Sequence, residues 1–386
     1  MSTHPYNVIN AMRLVGYSLA DMLPGYPGKD EAYLDDLLRD NALSLSRPVM
    51  PYGLLGVHAC TSRYFNVSAH GFRSSGQAQP WPPREAQKSI FFFGGSTTLG
   101  VGLEDGQTVP AKLQRRLHEA GHQCQVYNFG SGNYTSRHEL LRFLDLLDGG
   151  ITPDIAVFLD GFNDSVYAFG NPHLVNLLDS LYQREKKKRR ESESGLWGLA
   201  REMASLFGGK NGASMPSSDN YRPQDADEAA RFFFSEAGVE QALQWCDRPM
   251  PPEHLNGLYA RAGKGVWERY LDSVEMIRAV ARRRGAKTFF VWQPVSTYLT
   301  RKDHLILDRL FTVYRQNSLC SPVYQWLHHQ GYPTMSGAPD FLNLSGLGAR
   351  HEGVQYVDTC HYTASFCSNV AEMICKGLLA GGYLSD

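Results

Sequence analysis

From residue 89 onward, short apolar runs alternate with stretches of helical spacing, and few architectures accommodate that alternation. The runs cover residues 89–93, 125–129, 154–159 and 286–292, with a shorter fifth at Phe341-Leu342-Asn343-Leu344. Helical spacing is read from Thr108 to Ala120, Ser136 to Leu147, Val266 to Arg284 and His304 to His329, and Val370 to Leu379 closes the chain. Runs that are apolar throughout suit strands buried on both faces. Strands separated by helices predict a parallel sheet covered on each side. The expected fold class is therefore α/β, a three-layer α/β/α sandwich with about five parallel strands.

Residues 1–87 read as a helical and irregular extension packed on this core, which occupies 88–386. Val8, Ile9, Met12, Val15, Leu19 and Met22 predict an amphipathic helix over 7–23, ended by Pro24-Gly25-Tyr26-Pro27-Gly28. A second helix is expected from Glu31 to about Leu43, and Tyr64 to Arg73 reads as a short strand and turn. The strand–helix rhythm breaks at 165–263, a helical and partly flexible insertion expected to form a lid or pocket wall above the carboxyl edge of the sheet. Within it, 184–190 is a charge run, 207–227 reads as an exposed or disordered loop, and 228–245 regains helical character. The charge run reads as a solvated helix face, with an anionic substrate or surface as the other reading.

With 42% apolar and 20% charged residues, the chain suits a globular protein with a sizeable core. A net charge of -1 favours neither nucleic acid nor an acidic membrane. The seven cysteines are an odd, scattered set with no CxxC pair, as expected of reduced thiols in a cytoplasmic protein. The first 25 residues read as neither signal peptide nor membrane anchor. Asn66-Val67-Ser68 fits a glycosylation sequon, read as chance. Oligomeric state is not legible.

The chemistry-bearing residues follow the strands. The first run breaks into Gly94-Gly95-Ser96, where the glycines permit a tight turn and the hydroxyl lies over the carboxyl end of the sheet. The second leads to Asn128-Phe129-Gly130-Ser131-Gly132-Asn133, and the third to Asp160-Gly161-Phe162-Asn163-Asp164. Asp358 and His361 stand near the C-terminus, three residues apart. On a loop or first helical turn that spacing lets the carboxylate hold one ring nitrogen while the other faces Ser96. Taken singly, Asp358 has a plain reading as a helix cap, His361 as one of 13 ordinary histidines, and Asn163 and Asp164 as turn formers. Together they supply a hydroxyl, an imidazole, a carboxylate and donors for an oxyanion, the parts of nucleophilic acyl transfer.

On these blocks the chain resembles the SGNH subgroup of the GDSL-type esterases and lipases. Gly94-Gly95-Ser96-Thr97-Thr98 looks like its nucleophile block, with Gly-Gly-Ser in place of Gly-Asp-Ser. Asn128 to Leu140 looks like its asparagine-glycine loop, Gly161-Phe162-Asn163-Asp164 like Gly-x-Asn-Asp, and Asp358-Thr359-Cys360-His361 like Asp-x-x-His. The likeness covers roughly 88–165 and 285–380. Asn66 to Arg73 also resembles a stretch that precedes the nucleophile strand in some uncharacterised relatives.

The resemblance implies a flavodoxin-like fold, a nucleophile at Ser96, a base at His361 and its partner at Asp358, with Gly161 and Asp164 in support. It places oxyanion donors at the Ser96 N–H, a second-block N–H and the Asn163 amide. In that block the family's usual glycine falls on Asn133, with Gly132 just before it, so the donor is one or the other. The expected activity is hydrolysis of a carboxylic ester, with acetyl esters of a small molecule or glycan as the family-level substrate class. Acyl transfer by the same residues and a non-catalytic binding protein are the alternatives. No cofactor is expected: Cys360 and His361 lack a second ligand pair for structural zinc, and neither GxGxxG nor GKS/GKT is present.

Overall fold

The computed structural model describes residues 18–45, 47–84, 87–166, 252–296, 298–300 and 320–385. Five strands, β1 (Lys88–Gly94), β2 (Cys124–Asn128), β3 (Ile155–Asp160), β4 (Lys287–Trp292) and β5 (Phe341–Asn343), form one sheet in the order β2-β1-β3-β4-β5. Every neighbouring pair is parallel. The helices used below are α1 (Glu31–Asn41), α2 (Ser96–Leu99), α3 (Val109–Glu119), α4 (Ser136–Asp148), α5 (Phe162–Val166), α6 (Pro252–Arg284), α7 (Cys320–Trp326) and α8 (Ala364–Ala380). The fold is the expected α/β/α sandwich.

The side-chain alternation of β1 shows how the layers hold together. Ile90 and Phe92 enter a core with Leu113 and Leu117 of α3, Val370 and Ile374 of α8, and Leu34 and Leu37 of α1. Phe91 and Phe93 point the other way, against Phe143 of α4 and Val266, Tyr270 and Ile277 of α6. All four β1 side chains are fully buried, each contributing roughly 1.5–3 kcal/mol. Local chemistry starts the helices. Thr108 caps α3 by accepting from Ala111 N, Thr135 and His138 form a reciprocal cap on α4, and Thr363 caps α8 through Phe366 N.

The strand order reverses between β1 and β3, because the chain runs from β1 outward to β2 and then crosses back to β3. In such sheets the crevice outside the carboxyl ends of the strands at the reversal is the ligand site. Here Ser96 follows β1 and Gly161 to Asp164 follow β3. The β2 edge is covered by the segment before β1. Arg73 N donates to Asn128 O at 2.8 Å, Gln79 Nε2 to Val126 O at 2.7 Å, and Tyr127 Oη to Pro80 O at 2.7 Å.

Several boundaries differ from expectation. α6 starts at Pro252 rather than near Val266, inside the stretch assigned to the insertion, and proline suits a first helical turn. Of the helix expected over 7–23, residues 1–17 lie outside the described residues, and Ala20–Gly25 is a 3-10 helix that runs through Pro24. The insertion between 167 and 251 and the helical reading from His304 to 319 also lie outside them. No helix among the described residues is long and apolar enough to cross a membrane.

Candidate active site

Asp358 and His361 sit on a tight loop just before α8. Tyr356 bridges Tyr362 across it, and Val357 N donates to His361 O at 2.8 Å. Asp358 Oδ1 accepts from Cys360 N at 2.9 Å and His361 N at 2.8 Å, which folds the loop back on its own carboxylate. Its Oδ2 lies 2.6 Å from His361 Nδ1. A carboxylate can only accept, so Nδ1 carries a proton and Nε2 is the ring nitrogen outside that bond.

Burial pushes the Asp358 carboxyl up, but the imidazole and the two backbone N–H groups outweigh it and hold the pKa below the ordinary carboxylate value. Burial alone would lower His361. The charge of Asp358 reverses that and lifts the imidazole well above its ordinary range. Cys360 Sγ lies 3.6 Å from His361 Nδ1, and burial raises its thiol pKa. Ligand atoms of Asp358, Cys360 and His361 lie within 4.8 Å of one another. The N–H donors on both Asp358 oxygens fix the carboxylate, and its bond to Nδ1 fixes the imidazole.

Ser96 opens α2, with Gly95 extended before it as the cap residue. The turn is tied on three sides. Ser131 N donates to Gly94 O at 3.0 Å, Asn128 Nδ2 to Thr98 O at 2.9 Å, and Thr97 Oγ1 to Gln293 Oε1 at 3.0 Å. As the first helical residue, Ser96 has an N–H with no acceptor in the preceding turn.

The second block meets the third at the same mouth. Asn133 takes a φ of 63°, a left-handed conformation that asparagine tolerates well. Among the described residues, neither Gly132 N nor Asn133 N donates to a backbone carbonyl. Arg47, buried in the extension, donates to Ser131 Oγ at 3.0 Å, to Leu55 O at 2.9 Å and to Gly132 O. Asn163 Nδ2 donates one hydrogen to Tyr134 O at 2.7 Å, and among the described residues its second hydrogen has no acceptor. A Cβ on Gly95 would stand 2.4 Å from that nitrogen, so the amide packs directly on the turn that presents Ser96. Asp164 joins loops two and three: Oδ1 accepts from Ser136 Oγ at 2.7 Å and Oδ2 from Gly161 N at 3.3 Å. Gly161 itself holds a φ of +121°.

The segment after β4 links Ser96's turn to the histidine loop. Gln293 holds Thr97, Ser296 Oγ donates to Thr359 O at 2.5 Å, and Tyr362 Oη donates to Pro294 O at 2.8 Å. All the expected site residues therefore lie at the carboxyl end of the sheet. Among the described residues no hydrogen bond joins the Ser96 hydroxyl to His361. Sequence reading missed Arg47, Asp105 and Gln293, and met Arg73 only as the end of a stretch resembling one in uncharacterised relatives, with no role assigned. The two arginines lie in a Gly-, Pro- and aromatic-rich stretch without periodicity, where nothing distinguishes a buried arginine from a solvated one.

No family model and no curated protein matches the chain. Among solved structures, it is similar to the acetyl xylan esterase AlAXEase, at 11% identity and a TM-score of 0.34 over 75% of this chain and 99% of the other. A lipase/acylhydrolase from Enterococcus faecalis aligns at 12% identity and a TM-score of 0.34, over 76% and 96%. AlinE4, an SGNH-hydrolase family esterase, is 28% identical over 27% of this chain and 55% of its own, with a TM-score of 0.20. At such TM-scores these likenesses carry no weight for function, which rests on the residues at the mouth of the β1–β3 crevice.

Proposed function

We propose that the protein is a serine esterase that hydrolyses a carboxylic ester through a Ser96 acyl-enzyme. One observation carries this reading. A buried carboxylate holds His361 Nδ1 at 2.6 Å, leaving Nε2 as a base at the sheet end where Ser96 begins a helix. In the proposed reaction Ser96 Oγ attacks the carbonyl carbon and its proton passes to Nε2. Asp358 stays ionised and stabilises the imidazolium. The oxyanion is met by the Ser96 N–H, by the N–H of Gly132 or Asn133, and by the second hydrogen of the Asn163 amide. The imidazolium then protonates the leaving alcohol, and water attacks the acyl-enzyme with His361 again as base.

The Ser96–His361 contact forms, in this reading, when substrate closes the site, since such hydrogen bonds are often long without substrate. The substrate class we assign is an ester of a small molecule or glycan, with acetyl esters first to test. A cytoplasmic setting belongs to the same proposal, supported by the odd, scattered cysteines. A fluorophosphonate probe should label the native protein and spare Ser96→Ala, and p-nitrophenyl acetate turnover should vanish in the same variant. Labelling that persists in Ser96→Ala rejects Ser96 as the nucleophile.

A further inference from the structure

The segment before β1 carries a buried arginine that the proposed chemistry does not use. The Arg73 side chain is 0% exposed. Each of its five guanidinium hydrogens nevertheless has an acceptor. Nε donates to Asp105 Oδ1 at 2.9 Å, Nη1 to Leu99 O at 2.8 Å and Gly100 O at 2.6 Å, and Nη2 to Leu103 O at 2.6 Å and Tyr64 O at 3.3 Å. The Phe65 ring lies against the guanidinium face, 4.3 Å from Cζ to centroid. Asp105 is fixed in turn by Asn66, whose N donates to Oδ1 at 3.1 Å and whose Nδ2 donates to Oδ2 at 2.7 Å.

Three of the five acceptors belong to one short stretch, Leu99 to Leu103. That stretch is the continuation of α2, whose first residue is Ser96, and Gly100 N and Val101 N both return to Ser96 O. Carbonyls at a helix end have no partner inside the helix and need an outside donor. Lysine has only three donors on one nitrogen, so it cannot reach this spread of acceptors. Stability is a poor explanation for the device, because a buried ion pair is often no better for folding than apolar residues of the same volume. What the arginine does provide is a fixed position for the far end of a helix of one turn. Holding the end of so short a helix also holds its start.

We propose that Arg73, oriented by Asp105 and Asn66, is a positioning residue that sets where the Ser96 hydroxyl and N–H point. The inference rests on the reading of Ser96 as nucleophile. Its test compares Arg73→Lys with native protein, using p-nitrophenyl acetate kinetics and the rate constant of fluorophosphonate labelling, both on protein shown to be folded by circular dichroism. The expected result is a fall of tenfold or more in kcat and in labelling rate, with KM changed less than twofold. A tether that served only the fold would lower the melting temperature and leave kcat per folded molecule intact.

Native kcat and labelling in folded Arg73→Lys overturns the inference. If that variant does not fold, Asn66→Ala carries the test, since it removes one donor to Asp105 and leaves the guanidinium in place. A several-fold loss of kcat at unchanged KM is then expected, and native kcat overturns the inference. Ser96→Ala run in parallel separates the two readings. Loss of labelling there with unimpaired Arg73 variants rejects only the role of Arg73, whereas persistent labelling rejects the nucleophile itself.

Discussion

Gly95, which precedes Ser96, leaves no room for a side chain. A Cβ there would lie 2.4 Å from Asn163 Nδ2, closer than side-chain contacts allow. The backbone at Gly95 is ordinary, with a φ of -79°, so a substitution meets a steric rather than a conformational obstacle. Asn163 is buried and tied to Tyr134 O, so it must break that bond to move away. Gly95→Ala is therefore expected to fold and to lose about 10²-fold in kcat, the scale of one lost oxyanion donor. Steady-state kinetics of Gly95→Ala, Asn163→Ala and the double variant check the cause. If the two changes act through one amide, the double variant is no worse than Asn163→Ala. Losses that multiply show instead that Gly95 acts by another route.

At the scale of elements, α4, β3 and α5 are joined by buried carboxyls rather than by apolar contact alone. Glu139 of α4 is 1% exposed and Asp160 at the end of β3 is 3% exposed, and they face each other. Among the described residues Glu139 Oε2 and both Asp160 oxygens have no donor, and a proton on one carboxyl would link it to the other. Burial, followed by the repulsion of neighbouring carboxylates, raises both pKa values well above the ordinary range. Burial also raises Asp164, although the donors from Ser136 and Gly161 oppose it. The folded state keeps protons that the unfolded chain releases near pH 4, so stability falls as pH rises from there through the folded pKa values. Asp160→Asn removes one titrating group and gives Glu139 an amide donor. Its melting temperature, relative to native protein, should rise more at pH 8 than at pH 5. A difference that is constant from pH 5 to 8 shows that the folded pair holds no proton there that the unfolded chain has released. Sequence made each element legible, because the apolar runs and caps of β1, α3 and α4 are local signals. It could not show that Glu139 and Asp160 are buried against each other, since that depends on how α4 crosses β3. The same holds for the site: Asp358 and His361 are three residues apart and were readable as a pair, whereas Arg47 and Gln293 act across 85 and 196 positions of sequence.

For the molecule as a whole, the question is whether the chain before β1 is an appendage or part of the folding unit. Its side chains answer in part. Leu34, Leu37, Leu38 and Phe65 are each at most 1% exposed and share a core with α3 and α8. At ~1.5–3 kcal/mol apiece, these four contribute roughly 6–12 kcal/mol, comparable with the whole stability of an ordinary domain at about 5–15 kcal/mol. Removing the segment also uncovers the β2 edge, where Arg73 N, Gln79 and Pro80 now bind, and an open edge invites pairing with other chains. Arg47 and Arg73 would leave with it, freeing both the Gly132 loop and the end of α2. A fragment of residues 88–386 is therefore expected to aggregate or to lack cooperative thermal unfolding, and to take no fluorophosphonate label. Size-exclusion chromatography and circular dichroism decide the first point, and probe labelling the second. A monomeric, cooperatively unfolding and fully labelled fragment would mean that the sandwich carries its own stability and that neither arginine is needed to hold the site.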